Sequence, residues 1–438
     1  MLRSIVRRGS TATFALAIAA LAGCSSDAGT QPGHTITSVV MDPSPGWAGS
    51  SLSVHSPTFT ASDTGMMLHL GDAMVPPTRV NDTTLSARIP TTSMGGTVTA
   101  SLDIDGQSFP LGTLTIYGYT GSHTFPEGIV DDAYAWPRDG RAMIMGGAFQ
   151  KGLAFFDLDA NTETDFSAVP AENMHGPGPT YQDSVFVVQA ASDSFETWRV
   201  LPTPTLVATY PGIGAAWGAA QLGPTQWLQA GKNSIGTPAA CVGVDQPEGF
   251  YMSPRHDRAV VTVLALGGSG GVACYTPTQP DGTPVFDAPT GAVAYTLPQI
   301  QHPEGVDFSA DGNLLLLVGS PGAYRGPGRA LLLQSATGDV LADTAFDREA
   351  FAAALDPIRP LAYVAVNSTG HPTVLVLDRD TFTLLGEMQV PGDIARASDC
   401  CFSAVFAENN TDGLYLYWGQ LGTAWHFTLP AAGALRRP

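Results

Sequence analysis

Apolar and polar residues alternate in short runs between residues 34 and 118, and prolines and glycines separate the runs. Alternation with a period of two is typical of strands that bury one face. Several short strands at close spacing are typical of a β-sandwich. The pattern therefore predicts a small sandwich over residues 34–118.

From residue 119 onward the alternation is organised into a longer repeat. Its clearest unit begins at His302, passes through the turn Asp311-Gly312 and continues into the strand Asn313 to Val318. Echoes of this unit recur about every 44 residues, which is the size of a four-stranded blade. One blade cannot bury both of its faces, so the units are expected to stack around an axis. The chain is therefore predicted to be all-β, with a seven-bladed β-propeller over residues 119–438. The stretch from Arg348 to Leu355 is interpreted as a short helix on a connecting loop.

The start of the chain follows a third pattern. Three arginines precede an uninterrupted apolar run from Thr13 to Leu21, and small residues connect that run to Cys24. This order is typical of a secretory signal. The run is too short for a permanent membrane helix, which needs about 20 apolar residues.

The residues Leu21-Ala22-Gly23-Cys24 resemble the lipobox of bacterial lipoproteins. The resemblance implies that residues 1–23 are a signal peptide and that Cys24 carries a lipid. Ser25, in place of an aspartate, implies the outer membrane rather than the inner membrane. Residues 24–33 are small and polar, so they are expected to form a flexible tether. The protein is thus expected at a bacterial cell envelope, held to a membrane by its lipid.

The sandwich segment resembles the IPT/TIG immunoglobulin-like family. The resemblance rests on Pro45-Gly46 before an apolar strand, on Leu70-Gly71 at a strand end, and on the run from Asn81 to Leu85. Such domains are usually spacers or protein-binding modules, so no catalytic role is implied for this segment. The later repeat resembles the YVTN/NHL class of β-propellers through its Pro-x-Gly, Asp-Gly and Asp-x-x-Thr/Gly turn positions.

The charge balance excludes one class of partner. The chain has 39 acidic and 20 basic residues, a net charge of −19, and no basic stretch interleaved with aromatic residues. An acidic surface repels phosphate backbones, so nucleic-acid binding is not expected. Lys151 and Lys232 are the only lysines, so lysine-based catalysis has few candidates.

The chain contains five cysteines, and an exported protein meets an oxidising compartment. With Cys24 lipidated, an even number is left, namely Cys241, Cys274, Cys400 and Cys401. Cys241 and Cys274 lie at the ends of neighbouring strand-like segments, so they are the preferred disulfide pair, which leaves Cys400 and Cys401 to each other. Two reduced core residues at 400 and 401, or cross-pairing between the two sets, remain open alternatives.

Residues that lead into the first strand of each unit are expected to gather at the mouth of the propeller channel. Aligning the units by hand places Asp132, His175, Glu248 and Glu304 at one equivalent position. Three carboxylates and an imidazole would suit Ca²⁺ or another hard cation. The alternative is turn chemistry, because a glutamate before a glycine can accept backbone hydrogen bonds. Trp217 is predicted as a stacking residue near the same mouth.

Two functions fit these features. The first is a non-enzymatic, lipid-anchored protein that recognises an envelope protein or a polysaccharide on the propeller face. The second is a metal-dependent hydrolase at the channel mouth, since related propellers with lactonase or esterase activity use a ring of acids and asparagines. Those distinctive asparagines are not evident here.

The run Gly267-Gly268-Ser269-Gly270-Gly271 matches the serine-hydrolase elbow pattern, but a strand rather than a helix is expected after it, so a hairpin loop is predicted. A binding protein is therefore favoured over an enzyme.

Overall fold

The computed structural model describes residues 36, 38–60, 65–124, 132–136, 141–145, 153–157, 162–165, 178–182, 185–191, 194–199, 205–211, 216–231, 234–237, 240–266, 282–322, 326–368, 371–391, 402–407, 413–418, 423–431 and 433. These residues contain strands and turns and no helix. The predicted all-β fold class is therefore confirmed. None of the described residues belongs to a helix that could cross a bilayer.

The first nine strands form a sandwich of two sheets. They are β1 (Val40–Asp42), β2 (Gly46–Trp47), β3 (Ser51–His55), β4 (Met67–Leu70), β5 (Ala73–Val75), β6 (Thr78–Asn81), β7 (Thr84–Arg88), β8 (Gly96–Ile104) and β9 (Gln107–Tyr117). One sheet has the order β1-β3-β7-β6 and the other has the order β2-β9-β8-β4-β5. Alternate side chains such as Leu52 and Val54 on β3, and Leu102 and Ile104 on β8, are buried in the sandwich core. The period-two pattern therefore selects the face of each strand that packs inward.

The remaining strands form the propeller. They are β10 (Tyr119–Thr124), β11 (Asp132–Trp136), β12 (Arg141–Met145), β13 (Leu153–Asp157), β14 (Thr162–Asp165), β15 (Gly178–Pro179), β16 (Val185–Ala191), β17 (Ser194–Arg199), β18 (Thr205–Pro211), β19 (Ala216–Gln221), β20 (Trp227–Gly231), β21 (Ser234–Thr237), β22 (Ala240–Met252), β23 (Arg258–Leu266), β24 (Thr283–Asp287), β25 (Ala292–Leu297), β26 (His302–Phe308), β27 (Leu314–Ser320), β28 (Arg329–Gln334), β29 (Val340–Ala345), β30 (Ala350–Leu355), β31 (Leu361–Ser368), β32 (His371–Asp378), β33 (Leu384–Gln389), β34 (Phe402–Ala407), β35 (Gly413–Trp418) and β36 (Thr423–Thr428).

These strands pair in antiparallel groups of four. Four groups use consecutive strands, β11 to β14, β15 to β18, β26 to β29 and β30 to β33. Strands β19 to β25 form one longer sheet, in which the long strand β22 pairs with β21 through its first half and with β23 through its second half. We treat β22 as the last strand of one group and the first strand of the next. The predicted number of seven blades stays a prediction.

The groups are arranged as a ring. The first strands of successive groups contact one another in the series β15, β19, β22, β26, β30 and β34, and β34 also contacts β11. The last group is completed by β10, which comes from the beginning of the propeller segment and pairs antiparallel with β36. Both ends of the propeller segment therefore meet in one sheet, which we call the closure.

The sandwich rests against the outer edge of the propeller. The backbone N–H of Glu387 on β33 donates to the carbonyl of Ala48 at 2.8 Å, and the N–H of Gln389 donates to the carbonyl of Thr91 at 2.9 Å. Gly386 lies opposite Trp47, where an added Cβ would be 2.4 Å from the Trp47 Cβ. The close contact requires a glycine, and it lets the sandwich cover a strand edge that would otherwise be open.

The expected helix from Arg348 to Leu355 is wrong, because Ala350–Leu355 is strand β30. This strand is the first of its group and all six of its residues are buried. The small alanine side chains let β26 approach closely, since a Cβ added to Gly305 would be 2.6 Å from the Cα of Ala352. The alanines therefore serve close packing between groups rather than helix formation.

Candidate functional site

A β-bulge recurs in the first strands that line the propeller axis. The pairing register shifts between the first and second strand of the groups that start with β19, β22, β26, β30 and β34. The residues at these shifts are Trp217, Glu248-Gly249, Glu304, Phe351 and Ser403-Ala404. A bulge bends its strand and changes the direction of the side chain it carries. The candidate site is this set of bulges on adjacent first strands.

The predicted mouth residues occupy two kinds of backbone position. Glu248, Glu304 and Trp217 lie at bulges, whereas Asp132 is the first residue of β11, which pairs with β12 without a register shift. The side chains of Asp132, Glu248 and Trp217, and the whole of His175, lie outside the described residues. Their convergence at one mouth, and the stacking role of Trp217, stay predictions.

Glu304 lies beside a buried histidine. The Nδ1 atom of His302 is 2.7 Å from Oε1 of Glu304, and the side chains are 2% and 13% exposed, so solvent screens this contact little. Burial lowers the pKa of His302 to about 4, although the negative charge of Glu349 favours the charged imidazolium and opposes the shift. His302 is therefore neutral near pH 7. Two carboxylates, Glu304 and Glu349, leave this end of β26 and β30 electronegative.

Asp307 stands on the same strand, closer to its other end. Its Oδ2 atom accepts a hydrogen bond of 2.6 Å from the backbone N–H of Leu355 on β30. Burial raises the pKa of Asp307 to about 7, against the hydrogen bonds from the backbone of Leu355 and Phe308, which favour the ionised form. Part of the residue remains accessible. It is therefore a carboxyl group that changes its charge near neutral pH.

The described side chains do not assemble a metal centre. No three His, Cys, Asp or Glu residues among them come together in a way that could hold a metal ion. The predicted Ca²⁺ site depends on Asp132, His175 and Glu248, whose side chains fall outside this set. Of the predicted ligands, Glu304 is the one whose surroundings the structure describes.

Comparison with known proteins identifies no relative at the sequence level. No family model and no curated protein matches the chain. Among solved structures, the chain is similar to one described as the crystal structure of the mitotic checkpoint complex, with 9% sequence identity, a TM-score of 0.49, and coverage of 71% of this chain and 92% of that chain. It is also similar to the Cps50 (Swd1) β-propeller domain of Myceliophteria thermophila, with 8% identity, a TM-score of 0.49, and coverage of 72% of this chain and 100% of that chain.

The disulfide predictions fall on residues that the structure does not describe in full. Cys241 pairs with Gly236 in the ladder between β21 and β22, but its side chain is outside the described set. Cys274, Cys400 and Cys401 lie outside the described residues altogether. Both disulfide pairings stay predictions.

Sequence reasoning missed two residues of this region, Asp307 and Glu349. Asp307 is part of the motif that begins at His302, and the only signal available was an acidic residue between the apolar residues Val306 and Phe308. Its partner Leu355 is 48 positions away, so no local pattern could show the contact. Glu349 lies one residue before β30, in a stretch interpreted as helical.

Proposed function

We propose that this protein is a lipid-anchored cell-envelope binding protein, and that its propeller is a scaffold that recognises a protein partner. The observation that supports recognition of a protein is a set of exposed apolar residues on one face of the ring. We call this the turn face, where the first strand of each group ends and the fourth strand begins. Within the described part of the propeller, the large exposed apolar residues all lie in turns or strand starts at this face. They are Leu206, Val207, Val293, Val340, Leu341, Ile358 and Leu384.

Clusters of exposed apolar residues, in contrast to single ones, are typical of interaction surfaces. Leu341 is 53% exposed and Leu384 is 48% exposed, and they lie within the first two residues of the fourth strands of two neighbouring groups. Among the described residues, the fourth strands β14, β18, β25 and β29 each pair with a strand on one side only, whereas the sandwich covers β33 and β22 pairs with β23. A partner at the turn face can therefore contact both apolar side chains and free backbone groups.

The net charge of −19 defines the chemistry of that partner. Charge complementarity across an interface raises the association rate and rejects like-charged partners. The expected partner is a protein whose contact surface is apolar and basic. A polysaccharide is the less favoured ligand, because the exposed side chains at the turn face are aliphatic rather than aromatic.

The proposed lipid would limit the distance between the propeller and the membrane. Ile36 packs against the sandwich core, so about 12 residues separate it from Cys24. A fully extended segment of that length spans at most about 40 Å. The sandwich, which is docked on the propeller, would therefore hold the ring within reach of the membrane surface.

Lipidation is tested by expressing the chain with its signal in a Gram-negative host. We expect the wild type in the membrane fraction with an acylated N-terminal cysteine by mass spectrometry, and Cys24→Ala in the soluble envelope fraction or unprocessed. A wild type that is cleaved elsewhere and carries no lipid would refute the anchor.

Recognition is tested by placing a photocrosslinking amino acid at position 341 in cells that naturally make the protein. We expect one discrete adduct with a basic envelope protein, and loss of that adduct when Leu384→Glu is added. The matched control is Met74→Glu, which changes a residue 62% exposed on the sandwich and should leave the adduct intact. Adducts that are absent, or equally sensitive to both changes, would contradict recognition at the turn face.

A further inference from the structure

The contact between β26 and β30, which we call the seam, contains a polar bridge next to apolar residues. The two strands belong to different sheets, so no ladder joins them. Leu355 pairs across its own sheet with Ala362, while its N–H donates to Oδ2 of Asp307 at 2.6 Å in the neighbouring group. Without that carboxyl, a buried backbone donor on the inner edge of β30 would lose its acceptor, which is costly.

The carboxyl of this bridge is not repeated on the two neighbouring first strands, β22 and β30. The first strand β22 repeats the sequence pattern of β26, and Tyr251 stands where β26 has Asp307. On β30, counting from the bulge at Phe351, the equivalent residue is Ala354. The carboxyl is therefore not a general feature of the propeller repeat.

The elements packed against β26 give Asp307 little charge compensation. These elements are β22, β23, β27 and β30. Neither β27 nor β30 contains a titratable residue, and β23 contains only Arg258, which pairs with Asp287 at 3.1 Å. Strand β22 carries Cys241, Asp245, Glu248 and Tyr251, and β26 itself carries His302 and Glu304. Glu349 lies immediately before β30. Asp356, which pairs with Arg359 at 3.0 Å, lies immediately after β30. Burial and backbone hydrogen bonds set the pKa of Asp307, and none of these charged groups compensates a negative charge on it.

We propose that the seam is a pH-sensitive joint, in which deprotonation of Asp307 places a charge between two blades and loosens their contact. The protonated carboxyl still accepts the Leu355 N–H through its carbonyl oxygen and adds no charge to the seam. The ionised carboxyl keeps the hydrogen bond but must remain among apolar residues such as Leu316 and Leu355, and burial of a charge in apolar surroundings is unfavourable.

The direction of the effect follows from proton linkage. The pKa of Asp307 is about 7 in the fold, and it returns to its ordinary value near 4 when the seam opens to water. The closed seam therefore binds the proton more tightly than the open one. Its stability is highest below about pH 4, falls as the pH rises to about 7, and is constant above that.

The test measures hydrogen exchange of the peptide that contains the Leu355 amide, corrected for intrinsic exchange, in the full chain at several pH values from 5 to 8. We expect opening of the seam to increase about fiftyfold between pH 5 and pH 7 in the wild type. Asp307→Asn keeps an acceptor and lacks the charge, so its opening should vary less than about twofold over that range. Asp339→Asn, which changes an exposed turn carboxylate, should behave as the wild type.

Equal pH dependence of seam opening in the wild type and in Asp307→Asn would overturn the proposal of a pH-sensitive joint. If Asp307→Asn does not fold, the wild type is tested alone. The exchange of the Leu355 amide is then compared with that of amides of β8 and β9 in the sandwich. Opening at Leu355 that stays constant, or falls, relative to those amides as the pH rises would also overturn it.

Discussion

Two junctions in the propeller ring are built from different interactions. At the closure, β10 and β36 share a main-chain ladder that runs from Tyr119 opposite Phe427 to Thr124 opposite Thr423. At the seam, β26 and β30 share no ladder and are held by apolar packing, by the close approach of Gly305 to Ala352, and by the Asp307 bridge. A ladder of main-chain hydrogen bonds determines which strands pair, whereas apolar packing restricts the volume of the side chains at the contact. The closure should therefore depend mainly on backbone pairing, whereas the seam should be sensitive to added side-chain volume and to charge.

The largest effect is expected where a buried network connects β30 and β31 to the closure. Asp356 and Arg359 are fully or almost fully buried, and Nη1 of Arg359 lies 3.0 Å from Oδ2 of Asp356. The Nε of Arg359 donates to the carbonyl of Pro430 at 2.6 Å. Asp356→Ala leaves the guanidinium buried without its carboxylate, so we expect a loss of about 3–5 kcal/mol in the free energy of unfolding.

A matched variant distinguishes charge from packing in this network. Tyr363→Phe removes one hydrogen bond to Asp356, of 2.6 Å, and should cost about 1–2 kcal/mol. Chemical denaturation of both variants checks the order. A Tyr363→Phe cost as large as that of Asp356→Ala would contradict a role for the ion pair.

The seam is tested next by adding one methyl group. Gly305→Ala places a Cβ 2.6 Å from the backbone of Ala352, so either strand must move, and we expect a loss of about 2–3 kcal/mol. Gly322→Ala is the control, because an added Cβ there meets no atom within 4 Å. Equal thermal stability of the two variants would show that β26 and β30 do not pack as described.

A smaller effect is expected at the contact between the sandwich and the propeller. Glu387 lies 3.2 Å from Arg88 of the sandwich and 3.4 Å from Arg348 of the propeller. Arg88 is 59% exposed, so solvent screens the pair, and Glu387→Gln should cost about 1 kcal/mol. The loss should shrink in high salt; a loss that does not depend on salt would contradict an electrostatic contribution.

The smallest effect on stability is expected at the turn face. Leu341→Glu and Leu384→Glu change exposed residues and should alter the free energy of unfolding by no more than about 0.5 kcal/mol. Both should nevertheless reduce partner binding. A large loss of stability in either variant would mean that the residue is part of the core rather than of a recognition surface.

The sequence predicted the repeated strands and turns of the propeller, and it did not predict contacts that occur at one place in the fold. The recurring Asp-Gly turns and apolar strands, most clearly from His302 to Val318, led to the propeller, because repetition is visible in one dimension. The strand Ala350–Leu355 was interpreted as a helix, because burial next to Gly305 is a property of the assembled ring.

The candidate site shows the same limit. Alignment of the repeats brought Glu248 and Glu304 to one position, and both lie at bulges in the structure. The bridge from Asp307 to Leu355 joins two repeats at unequal positions, so alignment of repeats could not reveal it. The docking of the sandwich through Ala48 and Glu387 joins two domains and has no pattern of its own in the sequence.

The central claim is that the propeller segment closes on itself, and amide exchange in β10 tests it most directly. If β10 completes the last sheet, the amides of residues 119–124 that face β36 will be protected to the same extent as those of β36 and will lose protection together with them on addition of denaturant. Exchange in β10 that is as fast as in an unstructured peptide, while β35 and β36 remain protected, would contradict the ring.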